Sequence, residues 1–198
     1  MKVSLILAIL FFTSTSFGVA KVGEIAPDFE EKDHSGETRR LNDFKGQWVV
    51  LEWFNEGCPY VKKHYGSGNM QALQKKYTDK KVAWLTVATS AEGKQGYVDP
   101  AKAKEQIERA QMASTALLLD ADGTMGRAYG AKTTPHMFVI NPEGKIVYAG
   151  AIDSNDSANP ETIKTSENYV VAVLDAALAG KEVKTSSTRP YGCSVKYK

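Results

Sequence analysis

The sequence predicts an α/β domain in which helices cover a central parallel or mixed sheet. Short apolar runs rich in β-branched and aromatic residues alternate with segments of helical periodicity, which is typical of layered α/β proteins. The chain has 198 residues, 42% of them hydrophobic, and is long enough for one domain with its own core. A net charge of +2 with interspersed charges gives no support to a nucleic acid or an anionic membrane as partner.

Residues 1–20 have the composition of a secretory signal peptide. Lys2 is followed by an apolar run over 5–12, and Gly18-Val19-Ala20 offers small residues for cleavage. The run is too short to span a bilayer and no cysteine follows the cleavage point, so we expect an exported, periplasmic or secreted protein without stable membrane insertion. An uncleaved anchor helix is the alternative. Export to an oxidising compartment would bring the two cysteines together in a disulfide at some stage.

The first half of the domain is predicted to begin with an extended segment at Ala26-Pro27-Asp28-Phe29 and a hairpin turn over 34–37. A buried strand over 48–54 follows, and then a helix that starts next to a cysteine. Gly66-Ser67-Gly68 interrupts this helix, and Asn69 can cap its second half. We expect one kinked helix or two short ones.

The second half continues the alternation. Strands are predicted over 82–87 and 115–119, with a helix between them that starts at Asp99-Pro100 and runs to residue 111. After a short helix over 125–129, Pro135 leads into a hairpin with strands over 136–140 and 146–149, placed at one side of the sheet. A last helix is capped by Ser166 and ends at Gly180. We therefore expect a domain over 21–180 and a tail over 181–198, which has neither a helical nor a strand period.

Cys58 is the candidate nucleophile. Gly57 ends the preceding strand, and Pro59 suits the first helical position because its φ is already helical. Cys58 thus falls at the helix N-cap, where free backbone N–H groups and the positive end of the helix dipole stabilise a thiolate. Tyr60 projects from the first helical turn and is expected to shape access to the sulfur. Lys62 and Lys63 are interpreted as a solvated helix face, and His64 as an exposed or capped helix residue.

The order of these elements resembles the thioredoxin fold, and specifically the redoxin branch that includes alkyl hydroperoxide reductase and thiol-specific antioxidant proteins. The resemblance covers residues 23–179 and rests on five pieces: Ala26-Pro27-Asp28-Phe29, Phe44-Lys45-Gly46, the Cys58 helix start, the segment 129–135, and Phe138-Val139-Ile140-Asn141 followed by Gly144-Lys145-Ile146-Val147. It implies a three-layer sandwich with helices on both faces of a mixed sheet. It also implies that the Thr134-Pro135 peptide is cis, faces the active cysteine and belongs to a substrate-binding loop.

Two departures limit the resemblance. Thioredoxins carry Cys-x-x-Cys, whereas this chain reads Cys58-Pro59-Tyr60-Val61, so local dithiol chemistry within the helix is impossible. Peroxiredoxins carry Pro-x-x-x-Thr-x-x-Cys, and Leu51 and Asn55 occupy the proline and threonine positions here. Asn55 is retained as a candidate substrate contact. Arg127 is the arginine nearest in sequence to the Thr134-Pro135 loop.

Glu52 lies six residues before Cys58, the spacing at which thioredoxins place a buried acid beneath the active site. Desolvation raises the pKa of a carboxyl group inside a sheet, so Glu52 is a candidate proton relay during thiol exchange. The alternative is a strand carboxylate satisfied by a lysine or a backbone donor, or one pointing to solvent.

Cys193 is the other cysteine and the candidate resolving thiol. If Cys58 attacks a disulfide or a peroxide, a second thiol is needed to resolve the product within the chain. The alternatives are a permanent disulfide that ties the tail to the core and cysteines that act unpaired or between molecules.

These observations predict an exported thiol-disulfide oxidoreductase that uses Cys58, Cys193 and Glu52, with Thr134, Pro135, Tyr60 and Asn55 contacting substrate. A thiol-dependent peroxidase acting on hydroperoxides, and a non-enzymatic thioredoxin-like binding or metal-carrying module, are the alternatives. The substrate would be a disulfide of a protein or small molecule, or a hydroperoxide, and a thiol reductant would be needed. No cofactor or metal is expected, although His64 and His136 leave a Cys/His copper site conceivable.

Overall fold

The computed structural model describes residues 19–198, so the predicted signal peptide lies almost entirely outside the described residues. A five-stranded mixed sheet forms the centre. Its strands are β3 (Val49–Trp53), β4 (Ala83–Ala88), β5 (Ala116–Leu119), β7 (His136–Ile140) and β8 (Ile146–Gly150), in the order β5-β4-β3-β7-β8. Strands β4 and β5 run parallel to β3, whereas β7 pairs with β3 and with β8 in antiparallel fashion. The mixed sheet and the hairpin at one side are both confirmed.

Two small two-stranded sheets complete the strands. Strands β1 (Glu30–Lys32) and β2 (Thr38–Arg40) form the predicted hairpin near the N-terminus of the described chain. Strand β6 (Thr133–Thr134) pairs with β9 (Cys193–Ser194), which lies in the tail. The tail was predicted to have no strand, so its short pairing with β6 is a correction.

The helices lie on both faces of the sheet, as the three-layer prediction requires. Helices α1 (Pro59–Gly66), α2 (Asn69–Thr78) and α5 (Tyr169–Leu178) share a core with the side chains of Val50, Phe54 and Val139. Helix α3 (Pro100–Ala110) packs on β4 and β5. On the other face, α4 (Thr124–Tyr129) and a 3₁₀ helix (Leu41–Phe44) pack against Leu51, Trp53 and Phe138.

The helix boundaries follow local backbone chemistry. The Gly66-Ser67-Gly68 segment separates α1 from α2, and Gly68 adopts a left-handed φ of 74°. Asp99 caps α3 by accepting a 2.9 Å hydrogen bond from the Lys102 N–H. The predicted cap of the last helix is wrong by two residues: Asn168 accepts from the Val171 N–H, whereas Ser166 ends a 3₁₀ helix over Pro160–Thr165. In residues 19–198, no helix has the length and apolar character needed to cross a membrane.

The tail lies against the domain over most of its length. It contacts β8 at Ala149, whose N–H donates to the Ser186 carbonyl at 3.1 Å and whose carbonyl accepts from the Thr188 N–H at 3.2 Å. Beyond β9, the Val195 N–H donates to the Lys132 carbonyl at 3.0 Å, and the Val195 side chain enters the core. The Tyr197 hydroxyl donates to the Ala131 carbonyl at 2.8 Å. These contacts hold Cys193 beside β6, at the end of the sheet where α1 begins.

Candidate active site

Cys58 occupies the N-cap of α1, as predicted. Its backbone is extended (φ −79°, ψ 125°) and Pro59 takes the first helical position. The Cys58 N–H donates to the Asn55 carbonyl at 2.9 Å, which closes the turn between β3 and the helix. The side chain is completely buried, with 0% of its surface exposed. The candidate nucleophile is therefore covered in this conformation.

The loop before β7 supplies the nearest backbone group to the sulfur. The Thr134-Pro135 peptide is cis, which confirms the prediction. The Cys58 thiol donates to the Thr134 carbonyl oxygen at 3.0 Å. Thr134 and Cys58 are thus in direct contact, although 76 residues separate them in the sequence.

Strand pairing brings Cys193 to the same place. Cys193 and Thr134 are directly opposite in the antiparallel β6–β9 pair. Gly192 makes the close approach possible, because a Cβ at that position would lie 2.1 Å from the Thr134 carbonyl oxygen. Both cysteines are free thiols, with Cys58 buried and Cys193 partly exposed. The predicted pair is therefore brought together, in the dithiol state.

The two thiols have opposite pKa shifts. Burial is the largest influence and raises the pKa of the Cys58 thiol, but the Cys193 thiol, the Thr134 side chain and the Val61 and Cys193 N–H groups together outweigh it, so the net pKa lies below its ordinary value. The Val61 N–H, in the first turn of α1, lowers the pKa of Cys58, although the Cys58 side chain does not form an N-cap hydrogen bond. Burial and the adjacent Cys58 sulfur raise the pKa of Cys193 to about 11. Cys58 is accordingly the thiol that ionises first.

Glu52 is fully buried beneath α1 and α2, and none of its hydrogen bonds reaches Cys58. One carboxylate oxygen accepts from the Tyr65 hydroxyl at 2.9 Å. The other accepts from Trp84 Nε1 at 2.8 Å and Gln74 Nε2 at 3.0 Å, with the Thr86 hydroxyl at 3.5 Å. Burial raises the pKa of Glu52 against the opposing effect of these donors. The donors are neutral side chains rather than the lysine or backbone group considered above, and the relay role stays a prediction.

Asn55 and Tyr60 flank the cysteine in different ways. The Asn55 carboxamide accepts from the Gly57 N–H at 2.9 Å and donates to the Gln95 carbonyl at 3.2 Å. Asn55 thereby shapes the loop that carries Cys58, and its contact with substrate stays a prediction. The Tyr60 ring is half-buried and lies 5.7 Å from the Tyr191 ring of the tail, measured between centroids.

Lys62 of α1 is exposed, as interpreted from the sequence, whereas Lys63 and His64 differ from the interpretation. Lys63 is 2% exposed, not solvated, and its Nζ lies 2.9 Å from Asp153 Oδ2. His64 is also buried, and burial lowers its pKa to about 4. Asp153, in the loop after β8, was not identified from the sequence as part of the site. The aromatic residues of the tail were the only sequence signal that the tail docks on the domain, and they do not indicate where it docks. Arg127 points elsewhere, since its guanidinium lies over the Tyr197 ring and donates to the Asp122 carbonyl at 2.7 Å.

One group of side chains in the described chain has metal-ligand spacing, and it does not include a cysteine. It consists of Glu31, Asp120 and Asp122, whose oxygens lie within 4.8 Å of one another. Thr89 and the backbone N–H groups of Met125 and Gly126 already bind the Asp120 carboxylate. Neither His64 nor His136 joins the two cysteines in such a group within residues 19–198.

Comparison with known proteins agrees with this architecture. The sequence signature of the AhpC/TSA family matches residues 22–149. The thiol-disulfide oxidoreductase ResA of Bacillus subtilis (strain 168) is 28% identical over 125 residues, which cover 63% of this chain and 64% of that protein. The thioredoxin-like protein YneN of the same organism is 30% identical over 129 residues, or 63% of this chain and 68% of that protein.

Solved structures extend the likeness to most of the chain. An uncharacterized conserved protein from Geobacillus kaustophilus superposes with a TM-score of 0.74 at 25% identity and covers 93% of this chain and 94% of its own. The thioredoxin domain of a thiol-disulfide oxidoreductase from Bacteroides vulgatus gives a TM-score of 0.52 at 23% identity, over 73% of this chain and 96% of its own. The second comparison shows the fold alone.

Proposed function

The chain belongs to the AhpC/TSA family, and we propose that it is a thiol-disulfide oxidoreductase in which Cys58 attacks and Cys193 resolves. The observation that carries the proposal is the pairing of β6 with β9. It places a second thiol beside a helix-capping cysteine whose pKa is lowered. The relative ResA, a thiol-disulfide oxidoreductase, supports the same reaction class, and the relative YneN is a thioredoxin-like protein.

The reaction transfers two electrons and two protons from the protein dithiol to the substrate disulfide. The Cys58 thiolate attacks one sulfur of a substrate disulfide, which forms a Cys58-substrate disulfide and releases the first substrate thiol. The Cys193 sulfur then attacks Cys58 and releases the second substrate thiol. The protein dithiol becomes a disulfide, and its two protons end on the substrate thiols. An external dithiol reductant returns the protein to the reduced state.

The surroundings of Cys58 favour disulfide exchange over peroxide reduction. The groups that chiefly shift its pKa are the Cys193 thiol, the Thr134 side chain and two backbone N–H groups, none of which is cationic. A hydroperoxide needs a donor that stabilises charge on the leaving oxygen. Arg127, the candidate from the sequence, is engaged with Asp122 and Tyr197 instead. Thr134 lies beside both thiols, Pro135 follows it, and Tyr60 lies in the first turn of α1 near Tyr191; all three are proposed to contact the incoming disulfide.

Reduction of insulin disulfides by dithiothreitol tests the proposal. The chain should accelerate the reaction, and Cys58→Ser should abolish the acceleration. Reduced Cys193→Ser mixed with insulin after removal of dithiothreitol should form a trapped Cys58-substrate disulfide that is detected by mass. Unchanged activity of Cys58→Ser would refute the role of Cys58. Oxidation of Cys58 by hydrogen peroxide much faster than oxidation of free cysteine would replace this proposal by a peroxidase.

We also propose that the protein acts after export, on the basis of the composition of residues 1–20. The test is the mass and N-terminal sequence of the protein recovered from the exported fraction of a bacterial host. Cleavage near Ala20 would support export, and retention of the uncleaved chain inside the cell would contradict it.

A further inference from the structure

A buried cluster of charged and polar groups lies beside the active-site helix. Lys63 of α1 and Asp153 of the loop after β8 form an ion pair of 2.9 Å, and each is at most 3% exposed. Lys63 Nζ also donates to the Asn155 carbonyl at 2.8 Å. His64 Nδ1 lies 2.9 Å from the Asn69 carboxamide nitrogen, so its Nε2 faces the ion pair, 3.7 Å from Asp153 Oδ2. Burying such groups is costly unless further hydrogen bonds satisfy them.

Tyr191 of the tail completes this cluster. Its hydroxyl donates a short hydrogen bond to Asp153 Oδ1. Lys63 Nζ and His64 Nε2 each lie 3.4 Å from the same hydroxyl. The Lys63 ammonium also lies 5.4 Å from the centre of the Tyr191 ring. One tail side chain is thus bound by three buried polar groups.

Tyr191 differs from the other tail anchors in what it binds. The anchors after Cys193, Val195 and Tyr197, bind the carbonyl groups of Lys132 and Ala131, which lead into β6. Tyr191 binds side chains of α1 itself, the helix that begins at Cys58. It is separated from Cys193 only by Gly192, whose backbone lies against the Thr134 carbonyl. Tyr191 therefore fixes the resolving thiol relative to the attacking one.

We propose that Tyr191 is a positioning residue for the resolving thiol, and that its binding by Asp153, Lys63 and His64 docks the tail so that Cys193 both reaches and covers Cys58. This inference rests on the proposed function, because it assigns a residue to the resolution step. Substrate attack requires the tail to leave Cys58, and resolution requires it to return. The same contact thus slows the first step and accelerates the second.

The variant Tyr191→Phe removes the hydroxyl and keeps the ring. Tyr77→Phe is the matched control, because Tyr77 is also buried and its hydroxyl donates to a carboxylate, Asp175 Oδ1, at 3.1 Å between α2 and α5. Loss of one hydrogen bond to a charged acceptor changes an equilibrium by roughly tenfold. Weaker docking of the tail in Tyr191→Phe should change the rates of both substrate attack and resolution, whereas Tyr77→Phe should change neither rate.

Stopped-flow reaction with 5,5′-dithiobis(2-nitrobenzoate) resolves the two steps. Cys58 attack releases one thionitrobenzoate, and Cys193 attack on the resulting mixed disulfide releases the second. The single variants Cys58→Ala and Cys193→Ala assign the phases. In Tyr191→Phe we expect the first phase to be up to roughly tenfold faster, because the tail is docked in the dithiol protein. We expect the second phase to be up to roughly tenfold slower, because the thionitrobenzoate group on Cys58 competes with docking of the tail.

The outcomes separate the two proposals. Absence of a Cys193-dependent second phase in the unmodified protein refutes the resolving role itself. Two phases in the unmodified protein that are unchanged in Tyr191→Phe refute the role of Tyr191 alone, and so does a shift of both phases in one direction. Gly192→Ala is an independent variant, since its methyl group would meet the Thr134 carbonyl and undock the tail without touching the buried cluster. Like Tyr191→Phe, Gly192→Ala should make the first phase faster and the second phase slower. Addition of Tyr191→Phe to Gly192→Ala should change the two rates little further.

Discussion

The stability advantage of the variant Glu52→Gln over the unmodified protein should increase as the pH rises. Burial raises the pKa of Glu52 above 4.5, so the folded state binds a proton that the unfolded state has already lost. Stability from this group is complete below 4.5 and is lost as the pH rises through the folded pKa. Between these two values the unmodified protein should lose about 1.4 kcal/mol per pH unit relative to Glu52→Gln.

The glutamine side chain fits the observed hydrogen bonds. Its carbonyl oxygen can accept from Trp84 Nε1 and Gln74 Nε2, as one carboxylate oxygen does now. Its NH₂ group then faces the Tyr65 hydroxyl oxygen, which accepts from Gln74 Nε2 at 2.9 Å with one lone pair and can accept from the new NH₂ group with the other. The variant therefore imitates the protonated carboxyl group, and the comparison isolates the cost of ionisation.

Urea unfolding at a series of pH values measures the effect as the difference in unfolding free energy between the two proteins. Glu56→Gln is the matched control, because Arg109 lowers the pKa of Glu56 through a bidentate salt bridge of 2.6 and 2.8 Å. Stability from Glu56 is present above 4.5 and is lost as the pH falls through its folded pKa, so this variant should show the opposite dependence. A difference for Glu52→Gln that is constant with pH would refute the reasoning. A shifted pH profile of insulin reduction in Glu52→Gln would support the relay role.

Two further predictions concern other titrating groups. Cys193→Ala should raise the pKa of Cys58, measured by thiolate absorbance, because it removes a thiol that lowers this pKa; an equal or lower value would contradict the assigned cause. His64 and His136 should remain neutral until the pH falls to about 4, as followed by histidine NMR, because burial lowers both pKa values. The unfolded chain protonates its histidines near pH 6.5, so each residue removes up to about 3 kcal/mol of stability as the pH falls from 6.5 to 4; titration of either near 6.5 in the folded protein would be inconsistent with this burial.

The sequence was sufficient for features that local chemistry determines. The helix start at Cys58-Pro59, the break at Gly66-Ser67-Gly68 and the alternation of strands follow from backbone preferences and periodicity. The cis peptide before Pro135 followed from the resemblance to redoxins. The signals for the helix start and the helix break lie within a few residues of these features, whereas the cis peptide was inferred from motifs spread over residues 23–179.

The environment of Lys63 could not be predicted in the same way. A lysine pair on a helix is usually solvated, and nothing near Lys63 in sequence shows that Asp153 and Tyr191 will cover it, 90 and 128 residues later. Strand β9 has only two residues, which is too short for a period of two to be seen. The tail is ordered by separate long-range contacts rather than by a pattern of its own.

The structure also separates the acidity of Cys58 from its reactivity. The tail contributes to the burial that raises the pKa of Cys58 and supplies the Cys193 groups that lower it. Release of the tail removes both influences, whereas the Val61 N–H and the Thr134 side chain remain on α1 and β6. When the tail is released, the loss of burial lowers the pKa of Cys58 and the loss of the Cys193 groups raises it, so the two effects oppose each other. The exposed fraction of Cys58, by contrast, can only increase from 0%. Reactivity toward a disulfide should thus follow the docking equilibrium of the tail more closely than the pKa of the thiol.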